Sequence, residues 1–329
     1  MKSKLLFIYI FLPLLLAVVF IFSLISGSSD ISFIEAFKAL FSEQISDNAL
    51  IVKSIRFPRI IMAMAVGAGL AVSGCVFQAV LKNPLAEPFT LGISGGASFG
   101  AAIAFVFGLA SNLFVLPLFA FSGSLFAVFI VYVLSMRKRF DSNSMLLSGV
   151  IISYVFSSAV MLLFAISDAS RMQAAFMWLI GNFSSFDERL LPIVAAINIA
   201  GVIILCLIAN IINIISIGAD KSKSLGLNVN AAIKVVFIIA SFIAASSASA
   251  CGVIGFVGLM SPHIMRKFVG ANHIYLMPAS ALFGAIFLPF CDTISRIIVS
   301  PVILPVGVIT NIAGGIFFIT LLLKERNNA

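Results

Sequence analysis

The chain has 329 residues, of which 62% are hydrophobic and only 10% charged, with a formal net charge of +8. Soluble domains carry about 25% charged residues, so a soluble globular fold is excluded. Cys75, Cys206, Cys251 and Cys291 sit in or beside apolar runs without CxxC spacing, and His263 and His273 are the only histidines, which argues against a disulfide framework and a metal centre.

Apolar runs of the roughly 20 residues needed to cross a bilayer recur along the whole chain, and the weak alternating segments of a membrane barrel are absent. The composition therefore predicts an all-α, polytopic membrane protein. The first run, 4–26, follows Lys2 and Lys4. It is longer than the 7 to 15 apolar residues of a signal-peptide core and reads as a retained helix, with cleavage as the alternative. In Ser32-Phe-Ile-Glu35 the serine and glutamate have capping-box spacing, and Phe33, Phe37, Leu40 and Phe41 recur on one helical face. That pattern predicts a short helix lying on the outer membrane face.

Further spans are predicted at 57–81, 89–109, 113–136, 144–167, 189–215, 231–250, 253–267, 275–298 and 305–324, about ten in all. The longest polar breaks are 27–56, 168–188 and 216–230, and no soluble domain interrupts the series, so residues 1–329 form a single transmembrane domain. With the N-terminus in the cytoplasm, most of the 20 Lys and Arg fall on the inner side, as the positive-inside bias requires, and both termini are cytoplasmic. The basic residues flank helices instead of forming one stripe, which points to anionic lipid headgroups as partners and away from nucleic acid. Trp178 is expected at the outer interface.

No GxxxxGK[ST] is present, so the chain lacks a P-loop for nucleotide phosphates. Asp292 and Arg296 are the ionisable residues deepest in an apolar context, and their spacing suits a self-neutralising helical pair. Gly92-Ile-Ser94-Gly95 matches the GxSG of rhomboid intramembrane proteases, but neither histidine stands in the AHxxG setting of that family. The alternative for GISGGASFGA is close helix packing through small residues. A glycine precedes a proline by ten positions in both SGCVFQAVLKNP (73–84) and CGVIGFVGLMSP (251–262), a hint of internal duplication.

Arg56-Phe-Pro-Arg59 is followed by GAGLAVSG, Gln78 and NPLAEPFTLGISGGASFGA. Together with MLLSGV (145–150), MWLIGNF (177–183), ADKSKSLGLNVN (219–230), GFVGLMSPHIMRKFVGANHIYLMPASALFGA (255–285) and LPVGVITNIAGGIFFITLLLK (304–324), it resembles the FecCD-type permeases of bacterial ABC importers. The resemblance spans residues 56 to 324 in the family's order. It implies a BtuC-like permease fold in the bacterial inner membrane, with two copies pairing around a pathway lined by the fifth and tenth helices. It also implies a separate pair of ABC ATPase subunits that hold ATP and Mg, a periplasmic or lipid-anchored substrate-binding protein, and no enzymatic step, cofactor or metal in this chain. The cargo implied is an iron chelate, ferric siderophore or haem, with cobalamin or an oxyanion as alternatives.

By the same resemblance, Asn83 and Leu85 with Ser142 and Asn143 form a cytoplasmic gate; the alternative is ordinary polar turns. Asp220, Ser224, Leu225, Gly226 and Leu227 belong to a loop, about 216–230, that couples to the ATPase; the alternative is a solvated linker. Arg56, Arg59 and Arg296 would grip acidic residues of the binding protein, for which the planar guanidinium fork is suited. Lipid anchoring of Arg56 and Arg59, and pairing of Arg296 with Asp292, are the competing readings.

Overall fold

The computed structural model describes residues 2–27, 31–41, 47–137, 141–184, 187–217 and 228–326. All regular structure among them is helical. Lipid offers no partner for backbone N–H and C=O groups, so an apolar chain must pair them within each segment. The helices are α1 Lys2–Ile25, α2 Phe33–Phe41, α3 Asp47–Leu50, α4 Phe57–Leu81, α5 Ile93–Val106, α6 Val115–Arg137 and α7 Ser142–Ala165. They continue with α8 Ala169–Leu179, α9 Leu191–Leu207, α10 Ala209–Ile217, α11 Val229–Cys251, α12 Val257–Val269, α13 His273–Ile297 and α14 Val306–Arg326.

Among the described residues, 8 helical stretches are long and apolar enough to cross a membrane. Of the expected spans, 89–109 and 253–267 are the exceptions, because their helical cores α5 and α12 have only 14 and 13 residues. At 1.5 Å rise per residue each covers about 20 Å, short of the roughly 30 Å hydrocarbon core. Both follow irregular segments: α5 follows a 3-10 turn at Pro88–Leu91, and α12 follows the linker 252–256, with Gly252 at φ 73° and Phe256 at φ 66°. The expected helix 189–215 breaks at Ile208 into α9 and α10, and the break 168–188 contains α8. The two segments of the suggested duplication differ locally, the first being a helix end and the second a helix–linker–helix.

Helix α4 is the spine. It continues from α3 through a π turn at Ile51–Arg56, and 83% of its most apolar window is buried against 11% for α1. Its glycines explain this position. A Cβ at Gly67 would strike the carbonyl oxygen of Gly284 on α13, one at Gly74 that of Gly258 on α12, and one at Gly69 the side chain of Asn198 on α9. Helices in lipid associate by such close backbone approach. The GISGGASFGA stretch works the same way: Gly96 abuts Gly123 and Gly100 abuts Phe119, both on α6.

The capping box at α2 forms as expected, with Ser32 N donating to Glu35 Oε2 at 3.0 Å and Glu35 N to Ser32 Oγ at 3.3 Å. Ala36 and Ala39 face the protein, while Phe33, Ile34 and Phe37 are exposed. Trp178 lies on α8 and does not face outward. It is buried in a cluster with Ala97, Ala101, Ala120 and Ala248, because α8 packs on α5 and the alanines leave a space that an indole fills.

Candidate functional site

Two polar constellations occupy opposite ends of α4. At its N-terminal end, Asp292 on α13 is shared between two arginines. Arg59 Nη2 lies 2.7 Å from Asp292 Oδ1 and Arg59 Nε 2.9 Å from Oδ2, a bidentate clamp, whereas Arg296 Nε is 3.4 Å from Oδ2. The i,i+4 pair expected from the sequence is thus the weaker half of a triad. Arg56 donates to Leu24 O at 2.7 Å and Ile25 O at 2.8 Å, and Arg296 donates to Ser26 O at 2.9 Å and Ser23 O at 3.1 Å. These carbonyls close α1, where the last turn has no intrahelical donors and carries the negative end of the helix dipole. Two arginines therefore cap α1 from α13 and from the segment leading into α4.

Arg56, Arg59 and Arg296 are only 3%, 5% and 6% exposed. Their guanidinium donors bond within the chain, to Asp292, Ser184 and the last carbonyls of α1. Arg189 does reach solvent at this end: its side chain is 69% exposed and pairs with Asp187 at 2.8 Å. Its hydrogen bonds hold the Asp187 carboxyl down to about 2. A cleft of about 540 Å³ runs from this pair past Ser184 to Arg59.

At the other end, α4 stops at Lys82, whose left-handed φ of 48° turns the chain. Asn83 Oδ1 then accepts from Leu85 N at 2.9 Å, and Ala86 N donates to Asn83 O at 3.1 Å. Asparagine suits this position because its short amide closes a turn on its own backbone. Pro84 and Pro88 prevent a continued helix. Leu85 is left 58% exposed at the tip. Helix α7 begins alongside: Asp141 caps it through Ser144 N at 3.0 Å, and Ser142 Oγ lies 3.5 Å from Val80 O in the last turn of α4. Asn143 is exposed beside it. The structure thus brings Ser142 and Asn143 next to the end of α4 and the turn carrying Asn83 and Leu85.

Asp220, Ser224, Leu225, Gly226 and Leu227 lie outside the described residues. Just beyond, Asn228 caps α11 by accepting from Ala231 N at 3.2 Å. Two further contacts were not legible in the sequence. Gln78 on α4 accepts from Arg266 Nη2 on α12 at 2.9 Å, and Glu87 Oε2 accepts from Phe256 N at 3.2 Å. Neither has a local signal, since the partners are 188 and 169 residues apart. Helices α7 and α14 present long uncovered apolar faces, including Leu147, Ile151 and Tyr154 on one and Ile312, Ile316 and Ile319 on the other.

Similarity to known proteins runs along nearly the whole chain. The Fe(3+)-citrate import system permease protein YfmD of Bacillus subtilis is 32% identical, over 94% of this chain and 93% of its own. The hemin transport system permease protein HmuU of Yersinia pestis is 34% identical, over 83% of each chain. A solved structure of a metal-chelate type ABC transporter in an inward-facing conformation superposes with a TM-score of 0.85 at 28% identity, covering 97% of this chain and 99% of the other. The FecCD transport family pattern runs from residue 15 to residue 324, through the spine, the proline turn and the uncovered helices alike, and the chain belongs to that family.

Proposed function

We propose that this chain is the membrane-spanning permease subunit of an ATP-driven importer, moving an iron chelate (ferric siderophore or haem) received from a substrate-binding protein. The observation that carries the reading is the family match over residues 15–324, joined to relatives named for ferric citrate and hemin that align over most of both chains. Two copies pair with α7 and α14 facing the pathway. A large chelate is passed best by a smooth apolar wall, and the exposed faces of those helices offer one.

The chain holds no nucleotide and catalyses no covalent step; ATP and Mg belong to two ABC ATPase subunits that dock on the loop at 216–230. Both termini lie in the cytoplasm of a bacterial inner membrane, so the Asn83 turn and the start of α7 form the inner gate and the arginine cluster lies outside. Arg56, Arg59 and Arg296 contribute to docking indirectly, by fixing the end of α1 and the N-terminal end of α4, while the binding protein meets the cleft containing Arg189.

The cargo is tested by offering ferric citrate, a ferric hydroxamate, hemin and cobalamin, each radiolabelled, to the complete transporter in proteoliposomes. ATP-dependent accumulation of an iron chelate or hemin is expected. Accumulation of cobalamin alone would replace the cargo and leave the class standing.

A further inference from the structure

Glu87 stands, half-buried, where the turn before α5 meets the linker between α11 and α12. It caps the 3-10 turn Pro88–Leu91 in a capping box with Thr90. The same side chain crosses to the linker between α11 and α12 and accepts from Phe256 N at 3.2 Å. Among the described residues it has no cation within ion-pair distance. Even a half-buried carboxylate loses part of its hydration, and a serine, threonine, aspartate or asparagine would cap the turn as well. What the longer side chain adds is reach to Phe256.

That linker is the place in the neighbouring helices best suited to bend. Gly252 and Phe256 both have left-handed backbones, and irregular backbone at this depth needs a partner for each N–H. The linker is also seated on α14. The Phe256 ring occupies the space that a Cβ on Gly314 would take, and it lies 6.2 Å from the Phe318 ring. On the other side, a Cβ on Gly258 would come within 2.9 Å of Pro88 Cδ.

We propose that Glu87 is a positioning residue that ties the turn bearing Asn83 and Leu85 to the Gly252–Phe256 linker and so to α14, making the inner gate and the pathway helix move together. The proposal rests on the permease reading above. Substitutions separate the cap from the tie: Glu87→Gln keeps an acceptor at the same reach, Glu87→Asp keeps charge and cap but draws the acceptor back by one methylene, and Glu87→Ala removes both.

The test uses the complete transporter, this chain with its ATPase and binding protein, in proteoliposomes, and reads chelate accumulated per ATP hydrolysed. Glu87→Gln should stay close to wild type, whereas Glu87→Asp and Glu87→Ala should lower that ratio about tenfold, the change expected from one lost hydrogen bond to a charged acceptor. ATP hydrolysis per complex should persist. An unchanged ratio in Glu87→Asp would overturn the tie, as would a parallel fall of uptake and hydrolysis, which marks a merely structural residue. If Glu87→Ala does not assemble, the Asp and Gln pair still decides. Failure of the underlying reading shows differently: the wild-type complex itself would then lack ATP-dependent uptake.

Discussion

Asp292→Ala is expected to cost about 3 to 5 kcal/mol, the penalty for stripping the partner from buried charges. The carboxylate is 1% exposed and is the counter-charge for both Arg59 and Arg296. Its removal leaves two guanidiniums in an apolar interior, and the joint between α1, α4 and α13 loses its shared acceptor. The variant should elute as aggregate or unfold at much lower temperature in detergent. Replacing a buried pair by apolar residues is often neutral, so Arg59→Met combined with Asp292→Leu should recover the part of the loss that belongs to Arg59, while Arg296 keeps its bonds to the Ser23 and Ser26 carbonyls and to Thr293 but stays without a counter-charge. A wild-type unfolding temperature for Asp292→Ala would show that the triad does not hold these helices.

The second large effect is expected at Gly67→Leu. At this crossing the backbones of α4 and α13 touch, since a Cβ on Gly67 would fall onto the carbonyl of Gly284, and one on Gly284 onto that of Gly67. A backbone oxygen inside two long helices cannot swing aside as a side chain would. Overpacking a core typically costs about 1 to 3 kcal/mol even where side chains adjust, so the loss here should be at the upper end or beyond, read as failure to recover monodisperse protein. Gly315→Ala is the matched control, because a Cβ there meets nothing within 4 Å. It should be neutral, or stabilising by up to about 1 kcal/mol through helix propensity. Equal behaviour of the two variants would contradict the close-packed spine.

Much of the architecture was legible because lipid enforces it. Apolar length and Pro/Gly punctuation locate the helices within a few residues, and the small-residue stretch Gly92–Ala101 announces a tight crossing. The proline turn was equally readable, since Pro84 and Pro88 forbid a continued helix and Asn83 closes a turn on its own backbone. Half-length α5 and α12 were harder. Their apolar runs continue into irregular backbone, and a hydropathy pattern does not distinguish a 3-10 turn or a left-handed linker from more helix.

Long-range polar pairing was not legible at all. The helical spacing of Asp292 and Arg296 offered a local partner, whereas the shorter contact comes from Arg59, 233 residues away. The docking expectation for Arg56, Arg59 and Arg296 did not anticipate their burial for the same reason: only the fold shows that α1 ends beside them and offers its unpaired carbonyls. The burial of Trp178 was equally hidden, because it lies on α8, a helix within a segment whose polarity read as a break.

The most direct measurement places the purified chain in proteoliposomes, alone and then with its ATPase and binding protein, and follows a radiolabelled ferric chelate. No concentrative uptake is expected from the chain alone, and ATP-dependent uptake is expected from the complete assembly. Accumulation by the chain alone would contradict this expectation, because a passive conduit has no energy source of its own.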